Sequence, residues 1–492
     1  KALSAQSPIG NFVFHLRSDR AGISSQPPQT FRHRPNMLVL TSSAVRSVEH
    51  IPEAAAGQPE WINIPSKGMD PPTGQVPGNA EKVLEQIPAY GVDYSERGSC
   101  SSLAGEPSHS GSLTHSSLSL LLSTTFIMAV QSIISRQGIP ATQKALKVQG
   151  AGTVTLQEKS PIEPPKEDEV LVKIFCVGVN PHDWKSLDMS ASPGATWGCD
   201  FAGEVITAGP LTNKFKPGDR VGGACAGNRS DNPNNGGFAE YVSVPEMLLL
   251  RLPDWMSFEQ GATLGVGLLT VGLSLYHTMK LPLPYSGEAR DQYILIYGGG
   301  TATGGLAIQA AKLSGMKPIT TCSPGKFEHV KSLGAVEAFD YRSPSCASDI
   351  RTFTHDSLEY VFDCITESSS MKICYAAIGG QGGNYIGLDQ FPIRGHTRRD
   401  VRPGWVLAWT ALGKPVDWRK PYRREARPKD KAFAERWAPI AQKLLDNKDI
   451  VTHPTEVSDE GLAGVAKGAE RVKMGTAGGK KLIYRVATPS AS

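Results

Sequence analysis

The chain has 492 residues, of which 40% are hydrophobic, and its formal net charge is +4. This length predicts about two to four domains, and the charge is too small to indicate a nucleic-acid-binding protein. The eight cysteines include no Cys-x-x-Cys pair and form no dense framework, which favours a reducing compartment such as the cytoplasm over secretion.

Residues 1–127 differ in composition from the rest of the chain. They contain proline-rich and serine-rich pieces, and no helical or alternating pattern of apolar residues persists. Such a segment buries too little apolar surface to fold, so we expect a disordered extension without a part in the chemistry. The apolar stretch Leu118–Ile134 is interrupted by polar residues, which argues against membrane insertion.

Short strands separated by glycine turns dominate the next part of the chain. Apolar patterns predict strands within Lys144–Leu156, Glu169–Val179, Cys199–Ala208 and Gly236–Leu252. Closely spaced strands of this kind predict a small, barrel-like β domain. A helix is then predicted over Ser257–Met279, because Ser257 and Gln260 match the pattern of a capping box.

Strands and helices alternate in the part that follows. The predicted strands are Tyr293–Tyr297, Pro318–Cys322, Ala335–Asp340, Tyr360–Asp363 and Asn384–Leu388, with helices at Leu306–Leu313, Lys326–Leu333 and Ser368–Ile378 between them. This order predicts an α/β fold with a doubly wound parallel sheet. A further helix is predicted at Ala432–Leu445, and we expect the final strand, Lys480–Val486, to return to the first β domain.

The segment Tyr293–Gly315 carries the most informative local motif. Its apolar strand is followed by Gly298-Gly299-Gly300, by Gly304-Gly305 and by a helix that ends at Gly315. A strand, a glycine turn and a helix N-terminus together place backbone N–H groups against a phosphate. We therefore predict a dinucleotide site, although the spacing is not a regular G-x-G-x-x-G.

The end of the next strand indicates which dinucleotide binds. A site for NAD usually has Asp or Glu there to hold the ribose 2′-hydroxyl, and Ile319–Lys326 contains neither. Ser323-Pro324-Gly325-Lys326 offers a hydroxyl, a turn and an ammonium group, and Tyr341 could add a phenolic donor. A 2′-phosphate needs such groups, so NADP is predicted. Alternatively, Ser323 caps the next helix and Lys326 is solvated, and both roles can coexist.

Further motifs extend from about Thr142 to Val486. They read VNPHDWK, GCDFAG, KPGDRV, GGFAEYV, GLLTVGLSLY and SPGKFEHVKSLGA, beside the glycine-turn unit. In these motifs the chain resembles the medium-chain dehydrogenase/reductase superfamily, and within it the fungal trans-acting enoyl reductases of polyketide pathways. The resemblance implies a GroES-like β-barrel domain at 142–270 and 416–486, and a Rossmann NADP-binding domain at 271–415.

Many members of that superfamily are zinc alcohol dehydrogenases. These have Cys near the position of Asn180, and Gly-His-Glu where this chain has Gly198-Cys199-Asp200. Since a catalytic zinc needs three protein ligands, the resemblance implies a zinc-independent reductase without a metal. The alternative ligand set consists of His182, Asp183, Cys199 and Asp200.

The resemblance also implies roles for individual residues. Lys185 and Thr270 are the implied catalytic residues. The implied cofactor-binding residues are His182, Asp183, Gly300, Thr301, Ala302, Thr303, Ser323, Pro324, Gly325, Lys326, Tyr341 and Leu388. The implied substrate contacts are Leu268, Leu269, Val271, Gly272, Leu273, Trp409, Thr410, Ala411, Leu412 and Gly413.

Each of these roles has an alternative. Lys185 could be a partner of the cofactor phosphates or a surface lysine, and Thr270 could be a helix hydroxyl satisfied by the backbone. Gly404–Gly413 could be a dimer-edge strand. The basic run Arg394–Lys431 could be a solvated face or a docking surface for an acidic carrier protein, and without a recognised module it does not indicate nucleic acid.

A hydride donor without a metal suits conjugated enoyl thioesters or enones. Hydride addition at the β-carbon places negative charge on the thioester oxygen, where hydrogen-bond donors lower the barrier most, and the α-carbon then needs a proton. The leading hypothesis is an NADPH-dependent enoyl reductase acting in trans to a polyketide synthase, as a monomer or dimer. The alternatives are a quinone or enone oxidoreductase of the same fold and a non-catalytic NADPH-binding partner protein.

Overall fold

The computed structural model describes residues 139–287 and 290–488. The predicted disordered extension, residues 1–127, and the whole apolar stretch Leu118–Ile134 lie outside the described residues. Within the described ranges, no helix is both long enough and apolar enough to cross a membrane.

The elements follow one another in three groups along the chain. The first group comprises β1 (Thr142–Gly150), β2 (Thr153–Pro161), β3 (Glu169–Gly178), α1 (Pro181–Ser190), β4 (Asp200–Ala208), β5 (Arg220–Ala224), β6 (Tyr241–Pro245) and β7 (Leu249–Arg251). The second comprises α2 (Phe258–Gly261), α3 (Gly265–Val271), β8 (Tyr293–Tyr297), α4 (Ala302–Leu313), β9 (Lys317–Cys322), α5 (Phe327–Ser332), β10 (Glu337–Asp340), α6 (Cys346–Phe353), β11 (Tyr360–Asp363), α7 (Ser368–Ala377), β12 (Gly383–Gly387) and β13 (Val401–Trp405). The third comprises α8 (Pro428–Asp446), β14 (Thr455–Ser458), α9 (Gly461–Lys473) and β15 (Lys481–Arg485).

The first sheet is built around β3, which is almost wholly buried. Among the described residues its strand order is β14-β15-β3-β4-β5-β7, and β6 pairs with the N-terminal half of β3. The C-terminal half of β3 pairs antiparallel with β15, where Tyr484 lies opposite Val177. The last strand therefore returns to the first sheet, as the sequence predicts. We call this sheet and the helices on it the barrel half.

The second sheet has the order β10-β9-β8-β11-β12-β13 in the part of the chain that the structure describes. All of its neighbouring strands are parallel. The order reverses between β8 and β11, and ligands of doubly wound sheets bind outside the carboxyl ends of the strands at such a switch point. We call this sheet and its helices the nucleotide half, and the space at the carboxyl ends of its strands the cleft.

The segment predicted as one helix over Ser257–Met279 is divided in the structure. The predicted capping box is present, since the Ser257 side chain accepts the Gln260 N–H. The helix breaks between α2 and α3, and α3 continues as a π-helix over Gly272–Thr278. The Thr278 hydroxyl donates to the Leu273 carbonyl at 2.8 Å, which shows how the wider turn is stabilised.

Candidate functional site

The turn after β8 presents the N-terminus of α4 to the cleft. Thr301 caps this helix, because its side chain accepts the Gly304 N–H at 3.0 Å and donates to the Gly298 carbonyl at 2.8 Å. Gly298 has a φ of +87°, a conformation that favours glycine. The backbone of α4, which begins at Ala302 and Thr303, thus starts with N–H groups directed toward the cleft.

The glycines of this turn serve two different needs. A Cβ on Gly299 would lie 2.1 Å from the Thr320 hydroxyl, and one on Gly304 would lie 2.3 Å from the Gly298 carbonyl oxygen. Both are therefore required by packing within the chain. A Cβ on Gly300 would approach no atom more closely than 3.6 Å, so packing does not require glycine there. This open surface fits the close approach of a pyrophosphate.

The residues after β9 lie beside the glycine turn. Lys326 ends a short 3₁₀ helix, Pro324–Lys326, and its Cγ would be 3.8 Å from a Cβ on Gly300. Its ammonium group contacts the Gly479 carbonyl at 3.4 Å. Ser323 precedes the 3₁₀ helix, but its side chain makes no capping hydrogen bond. The Lys326 side chain therefore lies beside the glycine turn, and its contact with the adenosine ribose of a dinucleotide stays a prediction.

The next strand places Tyr341 and an acidic residue near this corner. Tyr341 is 41% exposed and its ring centroid is 6.5 Å from that of Tyr297. Asp340 pairs with Cys322 across β9 and β10, and its carboxylate accepts the Arg342 N–H at 3.1 Å. In sites for NAD, the acidic residue that binds the ribose follows the second strand of the nucleotide fold. Asp340 ends the third strand, so it does not occupy that position.

On the opposite side of the cleft, α1 buries two residues that the resemblance assigns to the cofactor. Asp183 is fully buried and accepts the Asn180 N–H at 2.7 Å, which caps α1. Burial raises the pKa of Asp183 to about 7. The hydrogen bonds from the Asn180 N–H and the Cys199 thiol lower this pKa, but burial has the larger effect. The Asp183 side chain thus has a structural role, and its contact with a cofactor stays a prediction.

His182 lies between two tryptophan rings. The Trp409 indole N–H donates to His182 Nε2 at 2.9 Å, and the Trp418 ring centroid is 5.4 Å from that of His182. Burial lowers the pKa of His182 to about 4, so the ring is neutral at neutral pH. The hydrogen bond joins the two halves and brings together a residue predicted for the cofactor and one predicted for the substrate.

A buried ion pair lies next to α1. Lys481 Nζ, from β15, donates to Asp200 Oδ2 at 2.7 Å and to Asn180 Oδ1 at 2.5 Å. Asn180 Nδ2 also donates to Asp200 Oδ2, and the N–H of Val266 donates to Asp200 Oδ1 at 2.7 Å. The lysine and aspartate side chains are 5% and 0% exposed. This cluster connects α1, β4, β15 and the start of α3.

Asn180 and Cys199 stand at positions where zinc alcohol dehydrogenases are expected to carry ligands, and Asp200 stands where they have Glu. Here Asp200 is neutralised by Lys481, and His182 Nε2 is already bonded to Trp409. Among the described residues, no group of three or more His, Cys, Asp or Glu side chains is arranged to hold a metal ion. Asp200 and His182 thus already have partners within the chain, and the zinc-independent character of the reductase stays a prediction.

The predicted catalytic residues have different surroundings. Lys185 Nζ forms a 2.8 Å ion pair with Asp389, and its side chain is 31% exposed. Leu388, predicted to bind the cofactor, directly precedes Asp389, and its N–H donates to Thr366 Oγ1. Thr270 is buried. Its hydroxyl forms no hydrogen bond to another described residue. The alternative role, a helix hydroxyl bonded to the backbone, is therefore not supported.

The predicted substrate contacts divide between two packed segments. On α3, the Leu268 carbonyl accepts the Trp437 indole N–H at 2.9 Å, and a Cβ on Gly272 would lie 2.5 Å from that nitrogen. Leu269, Val271 and Leu273 belong to the same core cluster. Part of this helix therefore faces α8 rather than the cleft.

The second segment lies after β13. Ala408–Leu412 forms a 3₁₀ helix in which Trp409, Thr410 and Ala411 are buried, and it packs against α3 and α8. Gly413, with a φ of +68°, ends it against Lys431. The preceding residues form the edge strand β13, so Gly404–Gly413 includes both a sheet edge and a buried turn beside α3.

The basic run after β12 separates into paired and exposed groups. Arg398 donates to three carbonyls at the end of α7 and pairs with Asp400. Arg424 stacks 4.0 Å above the Trp405 ring, and Arg423 pairs with Asp417. Exposed basic residues without an ion pair or ring contact among the described residues include Arg394, Arg399, Arg402, Arg419 and Lys420. The run therefore contributes to folding as well as to a positive surface.

Comparison with known proteins agrees with this geometry. Residues 166–254 match the model of the alcohol dehydrogenase GroES-like domain, and residues 302–386 match that of the zinc-binding dehydrogenase domain. The trans-enoyl reductase iccB of Talaromyces variabilis is 44% identical over 363 residues, which cover 71% of this chain and 97% of the relative. The trans-enoyl reductase opdC of Penicillium oxalicum is 45% identical over 359 residues, covering 71% and 98%. The chain belongs to the trans-enoyl reductase family.

This trans-enoyl reductase family member also shares its fold with solved structures. The enoyl reductase of CurK superposes with a TM-score of 0.57 at 17% identity, covering 70% of this chain and 99% of that one. A putative zinc-dependent alcohol dehydrogenase of Rhizobium etli gives a TM-score of 0.58 at 24% identity, covering 71% and 99%. These likenesses confirm the predicted GroES-like and Rossmann-type folds. As a family member, the chain is an oxidoreductase with a nicotinamide-binding fold.

Sequence reasoning missed several residues that organise the cleft of this trans-enoyl reductase. They are Asp389, Trp418, Tyr422 and Lys481. Each lies about 200 residues or more from its partner on α1, and no local spacing connects such positions. The resemblance identified Lys185, within the VNPHDWK motif, but not the carboxylate that binds it.

Proposed function

We propose that this chain is an NADPH-dependent enoyl reductase that reduces the α,β double bond of a polyketide-type thioester in trans to a polyketide synthase. The observation that supports it most is the Lys326 side chain, whose Cγ lies beside the open face of Gly300. The turn and the N-terminus of α4 suit a pyrophosphate, and the ammonium group supplies the charge that a 2′-phosphate needs. Family membership supports the reaction type.

We assign the other roles in the reaction to individual residues of the cleft. Bound NADPH supplies the hydride for the β-carbon. We assign Gly300–Thr303 to the pyrophosphate, Ser323–Lys326 and Tyr341 to the adenosine phosphate, and Leu388 to the nicotinamide end. The Thr270 hydroxyl and the Lys185 ammonium group are the donors available to the thioester oxygen, where negative charge develops. One of them must also deliver the α-carbon proton, and Lys185 is our assignment.

The substrate we propose is bound to an acidic carrier protein. The relatives are named as trans-acting enzymes, so their substrate is delivered by another protein. The exposed arginines Arg394, Arg399 and Arg402 lie within one stretch near the sheet edge. Positive charge of this kind accelerates the encounter with an acidic partner. All described cysteines are free thiols, which supports a cytoplasmic location.

Lys326→Ala tests the cofactor assignment. We expect the Kd for NADPH to rise about tenfold or more, because one charge-assisted contact to the phosphate is lost, while the Kd for NADH stays the same. Titration by fluorescence measures both constants. Lys331→Ala is the matched control, since Lys331 lies on α5, which follows Lys326 directly, but pairs with Glu337. Equal losses for NADPH and NADH would contradict the assignment.

A substrate panel separates the proposed reaction from its alternatives. The purified protein with NADPH is offered a carrier-bound enoyl thioester, the same thioester on a small thiol, and a free quinone. We expect the carrier-bound substrate to have the highest kcat/KM. Faster turnover of the quinone would indicate the quinone oxidoreductase instead, and NADPH binding without turnover of any substrate would indicate a non-catalytic partner protein.

A further inference from the structure

Lys185 is held by a residue from the other half of the molecule. Its Nζ donates to Asp389 Oδ2 at 2.8 Å, and the Tyr422 hydroxyl donates to Asp389 Oδ1 at 2.6 Å. Asp389 follows β12 directly, at the carboxyl edge of the nucleotide sheet, whereas Lys185 lies on α1. We call these three residues the cleft bridge.

Asp389 differs from the carboxylate of an ordinary surface ion pair. Its side chain is 16% exposed, and Oδ1 also accepts the N–H of Gln390 at 2.8 Å. Burial alone would raise the pKa of Asp389, but the hydrogen bonds from Lys185 and Tyr422 outweigh burial and lower it. Both carboxylate oxygens therefore have fixed partners, and the group is an anion at neutral pH.

Tyr422 is itself fixed by aromatic packing. Its ring lies edge-on to Trp405 with centroids 5.6 Å apart, and Arg424 stacks on the same Trp405 ring. The Tyr422 hydroxyl also lies 3.0 Å from Met189 Sδ on α1. Burial, with the Asp389 charge, raises the pKa of the Tyr422 hydroxyl, so Tyr422 stays protonated and can only donate to Asp389.

A lysine side chain needs such support in order to act at one position. Its long stem has many rotamers, and fixing them costs entropy that a single exposed contact does not offset. An ammonium group has three N–H donors, so pairing with Asp389 leaves two of them. The carboxylate that holds Lys185 directly follows Leu388, the expected nicotinamide contact.

We propose that Asp389 is the positioning residue for Lys185, and that Tyr422 in turn orients Asp389. The cleft bridge fixes the ammonium group at the carboxyl edge of β12 so that its free donors meet the oxygen of the unsaturated thioester. This inference rests on the proposed function. Because α1 belongs to the barrel half, the bridge makes the position of Lys185 depend on the docking of both halves.

A double-mutant cycle tests whether Asp389 acts through Lys185. Wild type, Lys185→Met, Asp389→Asn and the double variant are compared for reduction of an enoyl thioester by NADPH. We expect Asp389→Asn to lower kcat about tenfold or more, since small displacements of a catalytic group have effects of this size. KM and the Kd for NADPH should change little. The double variant should be no slower than Lys185→Met alone.

The outcomes separate the inference from the proposed function. An inactive wild type overturns both. An active wild type in which the two losses multiply, or in which Asp389→Asn changes the Kd for NADPH rather than kcat, overturns only the inference. Tyr422→Phe keeps the ring and removes the hydroxyl, so we expect kcat to fall, but by less than in Asp389→Asn. An unchanged kcat would show that Tyr422 does not orient Asp389.

A second measurement does not depend on turnover. Urea unfolding of the same four proteins without cofactor reports the coupling between Lys185 and Asp389, and we expect the effects on the unfolding equilibrium constant to be non-additive by a factor of about two to five. Strict additivity would contradict the contact itself. Asp417→Asn is the matched control. Asp417 lies in the same segment as Tyr422, but its carboxylate pairs with the exposed Arg423. The variant should leave kcat and the coupling between Lys185 and Asp389 unchanged.

Discussion

The two walls of the cleft are positioned by different kinds of interaction. The nucleotide wall, at Gly298–Gly305, is formed by backbone groups, and its packing depends on the absence of a Cβ at Gly299 and Gly304. The barrel wall is formed by buried side chains from three distant segments, which meet in the Lys481–Asp200 pair. The first wall should therefore be sensitive to added atoms, and the second to removed charge.

The largest expected effect is the loss of one partner of the buried pair. Lys481→Met leaves Asp200 buried with only the N–H groups of Asn180 and Val266, and breaking a buried ion pair costs about 3–5 kcal/mol. Urea unfolding should show this loss of the free energy of unfolding. Lys473→Met is the control, since Lys473 joins α9 to Asp188 on α1 through an exposed pair worth about 1 kcal/mol or less.

Equal losses in the two variants would show that the barrel wall does not depend on its buried charge. The double variant Lys481→Met with Asp200→Asn sharpens the test, because it removes both charges. We expect the double variant to lose less free energy of unfolding than the two single variants lose together, since no buried charge is left without a partner. A simple sum would contradict the pairing.

The two walls also differ in how far sequence could predict them. The nucleotide wall was predicted because its turn, cap and helix lie within Tyr293–Gly315, where spacing alone fixes the geometry. β13 was not predicted as a strand, because VRPGW contains Pro403 and Gly404, which are unfavourable in strands. α9 was missed because of Gly464 and Gly468, which helix propensity penalises.

The structure explains why α9 tolerates its glycines. A Cβ on Gly464 would lie within 2.7 Å of the Tyr484 ring, and one on Gly468 would lie 2.3 Å from its hydroxyl. The helix thus packs closely on β15, and tertiary packing overrides propensity. The same reason applies to Asp389, whose partner Lys185 is 204 residues away. Contacts at such distances are set by the fold and leave no local pattern.

A smaller effect distinguishes packing from ligand approach within the nucleotide wall. Gly304→Ala places a Cβ against the Gly298 carbonyl, so we expect a loss of about 1–3 kcal/mol in the free energy of unfolding. Gly300→Ala meets no atom within 3.6 Å, so its stability should change by less than about 0.5 kcal/mol. Its Kd for NADPH should nevertheless rise about tenfold, because the added methyl group occupies the surface assigned to the pyrophosphate.

Denaturant unfolding and NADPH titration of both alanine variants measure these effects. Gly150→Ala serves as the control, since a Cβ there meets nothing within 4 Å and Gly150 ends β1, outside the residues assigned to the cofactor. If Gly300→Ala binds NADPH as wild type does, the open face of the turn is not the pyrophosphate site. If Gly300→Ala is instead as unstable as Gly304→Ala, packing explains both glycines and the comparison between them fails.

The last comparison concerns how stability changes with each unit of pH at two adjacent titratable groups in the barrel wall. Burial raises the pKa of Asp183 from an ordinary 3.8 to about 7 and lowers that of His182 from 6.5 to about 4. The native state therefore binds more protons than the unfolded state at Asp183 between about pH 4 and 7, and stability falls as pH rises there. At His182 the unfolded state binds more protons between about pH 4 and 6.5, and stability falls as pH falls.

These opposite slopes largely cancel in the wild type below pH 6.5, so single variants should reveal them. Relative to wild type, Asp183→Asn should gain stability as pH rises from 4 to 7, by about 1 kcal/mol per pH unit. His182→Gln keeps an acceptor for Trp409, and it should gain stability relative to wild type as pH falls from 6.5 to 4. Urea unfolding at four pH values between 4.5 and 7.5 measures both differences. If the free energy of unfolding of both variants changed with pH as that of wild type does, neither group would be desolvated in the folded protein. The barrel wall would then depend on the Lys481–Asp200 pair and not on buried titratable groups of α1.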